Sequence, residues 1–236
     1  MIPISPRLLC CASLLKGDII CDIGTDHAYL PAYLIQSGKA RQVIATDVKP
    51  GPLDSAKGTL KRYHVEQDIR LVLSDGFDKV NTKGITDVVI AGMGGETIRD
   101  ILAAPKAEFL KKNVNLVLQP MTKAEILRPW LAEHGFTISK EIAVKDTHVY
   151  TVMQAAYTGD TEPLTPVACY CGKLRRSDPL TKIYLAGVQE RLHTKAAGLR
   201  EAGNDAEADQ IRVLLNDINQ WLNPNRRESN DNTGYL

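Results

Sequence analysis

The chain of 236 residues lacks a charge imbalance, a long apolar run and the cysteine pattern of a stapled or zinc-bound protein. Its 29 Lys and Arg against 28 Asp and Glu leave a net charge of +1. That excludes the broad basic excess common in nucleic-acid binders, so any such partner must meet local patches. Nothing approaches the roughly 20 consecutive apolar residues of a membrane span, and no membrane contact is expected. The opening Met1 to Arg7 has no basic segment followed by an apolar one, so no secretory signal is expected. The 5 cysteines, Cys10, Cys11, Cys21, Cys169 and Cys171, are odd in number and lie among apolar residues. They read as reduced thiols of a cytoplasmic protein. Cys169 and Cys171 lack the two-residue spacer of a zinc knuckle and a second Cys/His pair, so no metal is expected.

What is present is a series of apolar strands, each followed by a turn bearing glycine or carboxylate. Strands are expected at 18–23, 42–47, 69–73, 87–91 and 115–118, with helices at 27–36, 53–63, from about 96, and at 122–133. Pro50 and Pro52 read as an interruption before the second of these helices. The run Asp87 to Ala91 is apolar enough to be covered on both faces of a parallel sheet. Two last strands, about 136–144 and 149–157, are close enough for an antiparallel hairpin. Five βα units and a hairpin predict an α/β fold, a Rossmann-like doubly wound sheet with a reversed edge strand, over residues 1–158. A Pro/Thr-rich linker follows at 159–166. Apolar spacing after Pro179 and again from Ile211 to Leu222 predicts a helical, coiled-coil-like hairpin within 167–223. Residues 224–236 read as a polar tail without periodicity.

The most informative segment is Cys21 to Pro31, where a strand ends at Gly24. A second strand ends in Asp47 about twenty residues on, the spacing by which such sheets hold an adenosine cofactor. A dinucleotide turn needs a second glycine where this chain has Asp26, and a carboxylate there repels a diphosphate. Asp22-x-Gly24-x-Asp26-x-Ala28 instead matches the looser turn of class I S-adenosylmethionine-dependent methyltransferases. That cofactor carries a sulfonium and an ammonium, which acidic groups suit. Asp26 is therefore assigned to its ammonium, Asp47 to the ribose, and Asp75 and Gly76 to the adenine edge; Asp22, Gly24, His27, Val48, Ala91 and Gly92 complete the cofactor-binding set. Arg7 is a further candidate, for the cofactor carboxylate. Helix capping by Asp22 and Asp26 is the structural alternative.

Five segments then carry a family resemblance: Asp22 to Pro31, Thr46-Asp47, Ser74 to Phe77, Ile90 to Ile98, and Leu118 to Met121. Together they resemble the bacterial tRNA (adenine-22)-N1-methyltransferases (TrmK type). The resemblance implies a class I methyltransferase fold, S-adenosylmethionine as cofactor, and N1 of one adenine in the D-arm region of tRNA as acceptor. On that reading Asp26, His27, Tyr29 and Met93 are the candidate catalytic residues, and Gly94 and Gly95 belong to a substrate-binding loop after the fourth strand. Neutral adenine N1 has its own lone pair, so a general base is possible but not required. Arg175 and Arg176, within a basic stretch from Lys173 to Lys195, are assigned to tRNA, with Lys111, Lys112, Lys123 and Arg128 as a second patch. Two alternatives remain: a methyltransferase acting on a small molecule or protein, and a non-catalytic RNA-binding module with a vestigial site. The oligomeric state is not given by the sequence, a monomer being the expected form.

Overall fold

The computed structural model describes residues 2–224; the tail read at 224–236 lies, apart from its first residue, outside the described residues. A first helix, α1 (Pro6–Leu14), starts at Ser5, whose hydroxyl accepts from the Leu8 amide, with Pro6 in the first turn. Then follow β1 (Ile19–Ile23), α2 (Tyr29–Gln36), β2 (Gln42–Asp47), α3 (Pro50–Tyr63), β3 (Ile69–Leu73), β4 (Asp87–Gly94), α4 (Gly95–Ala103), β5 (Asn115–Thr122), α5 (Ala124–Glu133), β6 (Phe136–Lys145) and β7 (Val149–Tyr157). The seven strands form one sheet in the order β3-β2-β1-β4-β5-β7-β6. β1 lies between β2 and β4, parallel to both. The chain therefore runs outward from β1 to β3 and returns to β4, leaving a crevice at the carboxyl ends of β1 and β4.

Side-chain alternation sorts the sheet residues onto two buried faces. Cys21, Ile23, Val88, Ile90, Leu116 and Leu118 pack with Ile98 and Leu102 of α4 and Leu127 and Leu131 of α5. Ile20, Val43, Val89 and Val117 face the other way, against Leu14, Leu30, Leu34 and Leu60 of α1 to α3. Both faces are covered, which is why the central strands read as unbroken apolar runs.

Several sequence expectations change. The reversed strand is β7, antiparallel to both neighbours, and it lies one place in from the edge, which β6 occupies. No helix joins β3 to β4. α2 begins at Tyr29 because Asp26 and Ala28 adopt left-handed backbone, φ 52° and 54°. Pro50 opens α3 instead of interrupting it, since a first-turn proline sacrifices no helical hydrogen bond. β4 and β5 run on to Gly94 and Thr122, with a register shift between Ala91 and Met93. The expected loop after the fourth strand is thus bulged strand, not free loop.

Beyond Tyr157, residues 158–165 have no regular structure, and three helices follow: α6 (Pro166–Cys171), α7 (Pro179–Glu201) and α8 (Asp205–Leu222). Leu185, Val188 and Leu192 of α7 meet Ile211, Leu215 and Ile218 of α8, each set at three- and four-residue spacing. Ile183 does not join this stripe; it is 55% exposed. α6, unmarked in the sequence pattern, is tied to the sheet by Arg128 and Glu141. Their side chains are fully buried, with Nη2 to Oε1 at 2.7 Å. Arg128 also donates to the Cys169 carbonyl (2.6 Å), and Glu141 accepts from the Lys173 amide (2.9 Å). Arg128 therefore belongs to no surface patch. Ion-pair and packing demands drew it inside, which charge counting along the chain does not register.

Candidate active site

The turn after β1 is built by backbone hydrogen bonds from Gly24 and Thr25 to the Thr46 carbonyl, at 2.9 and 2.8 Å. These pull the end of β1 onto the end of β2 and bring the Asp47 carboxylate beneath the turn. Asp47 Oδ2 accepts from the Asp26 amide at 3.3 Å and Oδ1 from the Lys49 amide at 3.0 Å. Asp26 tolerates its left-handed backbone better than most residues. Gly24, at φ 76°, takes a backbone that residues with a side chain adopt only under strain, and the end of the Met93 side chain occupies the space its missing Cβ leaves.

Two cavities meet at this point and share Gly24, Asp47 and Val48. One, about 380 Å³, is lined by Asp75, Gly76, Met93 and Ile101 among others. The second, about 430 Å³, takes in Asp22, Asp26, His27, Tyr29, Ala91, Gly92 and Arg7. Every residue assigned to a cofactor from the sequence borders one of them. Together they make a carboxylate-bearing trough whose two parts join at a waist formed by the shared Gly24, Asp47 and Val48. Buried hydroxyls of Thr25 and Thr46 flank that waist without a hydrogen-bond partner.

Asp22 is the most perturbed carboxyl of the trough. Burial pushes its pKa up to about 6, and the like charge of Asp47 adds to the effect. The Thr25 hydroxyl pulls the other way, without reaching the geometry of a full hydrogen bond. Asp26 and His27 stand exposed at the rim, 3.7 Å apart, and the His27 and Tyr29 rings are 5.9 Å between centroids. Met93 stands apart from these three, over Gly24 in the first cavity.

At the ends of β4 and β5 the sequence reading named the glycines but not their partners. Gln119 is fully buried, and its carbonyl oxygen accepts from the Gly92 amide at 3.0 Å and from Arg7 Nη1. Gly95 is buried, and a Cβ would lie 2.2 Å from the Lys123 carbonyl oxygen. Its small size is demanded by the β5–α5 turn, which corrects its assignment to substrate contact. Gly94 stands beside Thr122 at the same turn. Glu96 leads α4 and pairs with Lys123 across this rim.

A larger groove, about 650 Å³, starts at Pro120 and Met121 and runs between the β6–β7 turn and α7. Lys123, Lys145, His148 and Arg191 line it, together with the exposed apolar side chains of Met121 and Ile183. Arg176 lies elsewhere, 4.8 Å over the Trp221 ring, and helps line a separate hollow at the end of α8. Arg175 is exposed and borders none of these cavities. The sequence reading missed Gln119, Lys145 and Ile183 because each acquires its neighbours from a different element.

Comparison with known proteins adds to this geometry. The family described as "Methyltransferase domain" matches residues 4–153, the stretch holding both cavities. The chain is 34% identical over 148 residues to tRNA (adenine(22)-N(1))-methyltransferase of Bacillus subtilis (strain 168), covering 62% of this chain and 61% of that protein. The aligned part thus spans about three-fifths of the curated relative. The crystal structure of the Bacillus subtilis M1A22 tRNA methyltransferase TrmK superposes with a TM-score of 0.81 at 25% identity, over 92% of this chain and 99% of that one. A Streptococcus pneumoniae protein, Sp1610, described as a putative tRNA (m1A22) methyltransferase in complex with S-adenosyl-L-methionine, gives 0.77 at 27% identity, again over 92% and 99%.

Proposed function

The chain belongs to the methyltransferase-domain family, and from that premise we propose that it transfers a methyl group from S-adenosylmethionine to N1 of adenine-22 in tRNA. The observation that carries this reading is the carboxylate-bearing trough with its waist at Gly24 and Asp47. Its donor set fits a ligand with a ribose, a sulfonium and an ammonium. Asp47 keeps acceptor capacity for two hydroxyls beyond its backbone bonds, and the unpaired Thr25 and Thr46 hydroxyls border the same waist. Asp22 and Asp26 meet the cationic end; Asp75, Gly76 and Ile101 accommodate the adenine end. Support for the acceptor comes from the relatives, whose printed activity is methylation of this tRNA position.

When bound, the cofactor supplies an electrophilic methyl group; the rest is positioning. Neutral adenine N1 presents an in-plane lone pair, so the protein has to orient and desolvate the base. That proximity effect is worth up to roughly 7–11 kcal/mol. Ala91 and Gly92 line the cavity in which the base is held, together with His27 and Tyr29. The positive charge passes from the sulfonium, which becomes a neutral thioether, to the adenine, and the carboxylates of Asp22 and Asp26 keep it company on both sides of the transfer. A tRNA substrate is what supports a cytoplasmic location.

The groove beside Met121, where Lys123, Lys145 and Arg191 stand against Glu125 and Glu190, is the path we assign to tRNA, in place of the Arg175–Arg176 face. Lys145→Glu with Arg191→Glu is expected to weaken tRNA binding at least tenfold and to flatten its dependence on log salt by roughly one to two. Arg175→Glu with Arg176→Glu should have the smaller effect; the reverse ranking would move the path to that face. The activity itself is tested with labelled cofactor and tRNA transcripts carrying adenine or guanine at position 22, followed by nucleoside analysis. Label in 1-methyladenosine from the adenine transcript alone is expected. Label in both transcripts, or in protein or small molecules only, overturns the assignment.

Asp22 gives the reaction a pH signature. Its carboxyl is charged mainly above pH 6, so adenosylhomocysteine affinity should fall about tenfold per unit below that value. Asp22→Asn should remove this slope. Stability moves the opposite way. The folded-state pKa lies above the ordinary 3.8, so the folded chain holds a proton that the unfolded chain releases. The contribution is complete below the unfolded value and is lost as pH rises toward 6. Ligand-free protein should therefore melt at progressively lower temperature across that window relative to Asp22→Asn.

A further inference from the structure

We propose that the groove beside Met121 is a nucleobase pocket, holding a base next to adenine-22 that loses its stacking partner when the adenine leaves the helix. That occupant rests on the tRNA reading above and deepens it, naming the part of the RNA that the groove takes. Swinging one base out strips a stacking face from each neighbour, and an unstacked base is readily bound on an apolar surface. The groove offers such a surface beside the transfer site. Pro120, at its start, pairs with Met93 across β4 and β5, and Ala91 of the cofactor cavity pairs with Gln119. A base in the groove therefore lies about one strand's width from the cavity that receives the adenine.

Charge alone does not account for this groove. Lys123, Lys145 and Arg191 line it with Glu125 and Glu190, and Lys123 is already paired with Glu96. A run of phosphates would meet two carboxylates on its way. Among the described residues only six large hydrophobic side chains stand exposed, and two of them, Met121 and Ile183, come together here from different elements. Met121 is held in place, its sulfur 3.7 Å from Gln119 Nε2, and a thioether packs favourably against an aromatic ring. A nucleotide suits the whole set. The faces of its base are apolar, and its edge carries N–H groups that Glu125 and Glu190 can accept. Its phosphate is a single anion, and Lys145 and Arg191 are both exposed to meet it.

Gly187 of α7 lines the same groove, and a Cβ there would find no atom of another element within 4 Å, only Arg191 Nη1 at 3.8 Å. Gly187→Leu therefore fills the groove while favouring the helix. Ile183→Asn removes apolar surface at an exposed position and decides the matter if the first variant does not fold. Binding by the full chain is measured with a complete tRNA transcript and with two others, lacking the base before or the base after adenine-22. Both variants are expected to lose about tenfold in affinity for the complete transcript, in line with one stacked base. On one abasic transcript that contact is already gone, and there the variants should match the unaltered protein within about twofold. The other abasic transcript should show the full loss again. Equal losses on all the transcripts would mean that RNA crosses the groove with no neighbouring base in it. No loss on any would point to a protein partner instead; either result overturns the proposal. Failure of the unaltered protein to methylate the complete transcript would instead overturn the tRNA reading.

Discussion

Asp47→Ala is expected to abolish measurable cofactor binding at micromolar concentrations, with a loss of at least about a hundredfold in adenosylhomocysteine affinity. Hydrogen bonds to a charged group contribute roughly 1.5–3 kcal/mol each, and a ribose presents two hydroxyls. The carboxylate also organises its own surroundings. It accepts from the amides of Asp26 and Lys49, so its removal releases the left-handed turn that carries Asp26 and His27. Asp47→Asn keeps one carbonyl oxygen and the turn geometry in part, and should lose less than the alanine variant. Calorimetry with both variants checks the ranking. Binding of Asp47→Ala within threefold of the unaltered protein would show that the shared waist of the two cavities is not where the ribose lies.

Arg128→Leu is expected to be the most destabilising exchange in the fold, costing about 3–5 kcal/mol in urea unfolding at neutral pH. The cost comes less from the lost pair than from what remains. Glu141, with a side chain fully buried, keeps Thr151 and the Lys173 amide as partners but loses its counter-charge. The Cys169 carbonyl loses its donor at the same time. Replacing both members, Arg128→Leu with Glu141→Leu, should recover part of the loss, because no orphaned charge remains. If the single exchange costs under 1 kcal/mol, the node is not the anchor that fixes α6 to the sheet. Gly172 makes the same point by space: at φ 53°, a Cβ there would lie 2.0 Å from Glu141 Oε2.

The strands and the trough were legible because their signals are local. Apolar runs, the glycine turn at Gly24 and carboxylates closing β2 and β3 follow one another over short stretches of chain. Periodicity also separates the two buried faces, since neighbours such as Val88 and Val89 must point opposite ways. Element ends were less legible. Pro50 was taken as a break because proline's meaning depends on which helical turn it occupies. The pattern ends β4 early, at Ala91, since glycines suggest a loop until β5 is seen pairing alongside.

Sequence alone pointed to the cofactor chemistry: Asp26 stands where a dinucleotide turn has a glycine, and a carboxylate there repels a diphosphate. It also determined the α/β class, through strand and helix spacing. Only the tertiary structure decided what long-range contacts decide. It turned Arg128 from a surface cation into a buried partner of Glu141, and Gly95 from a substrate contact into a packing requirement. It set Arg7 against Gln119 across 112 positions of chain. A charge or a glycine has no fixed role until another element approaches it, and no pattern along the chain records which element that will be.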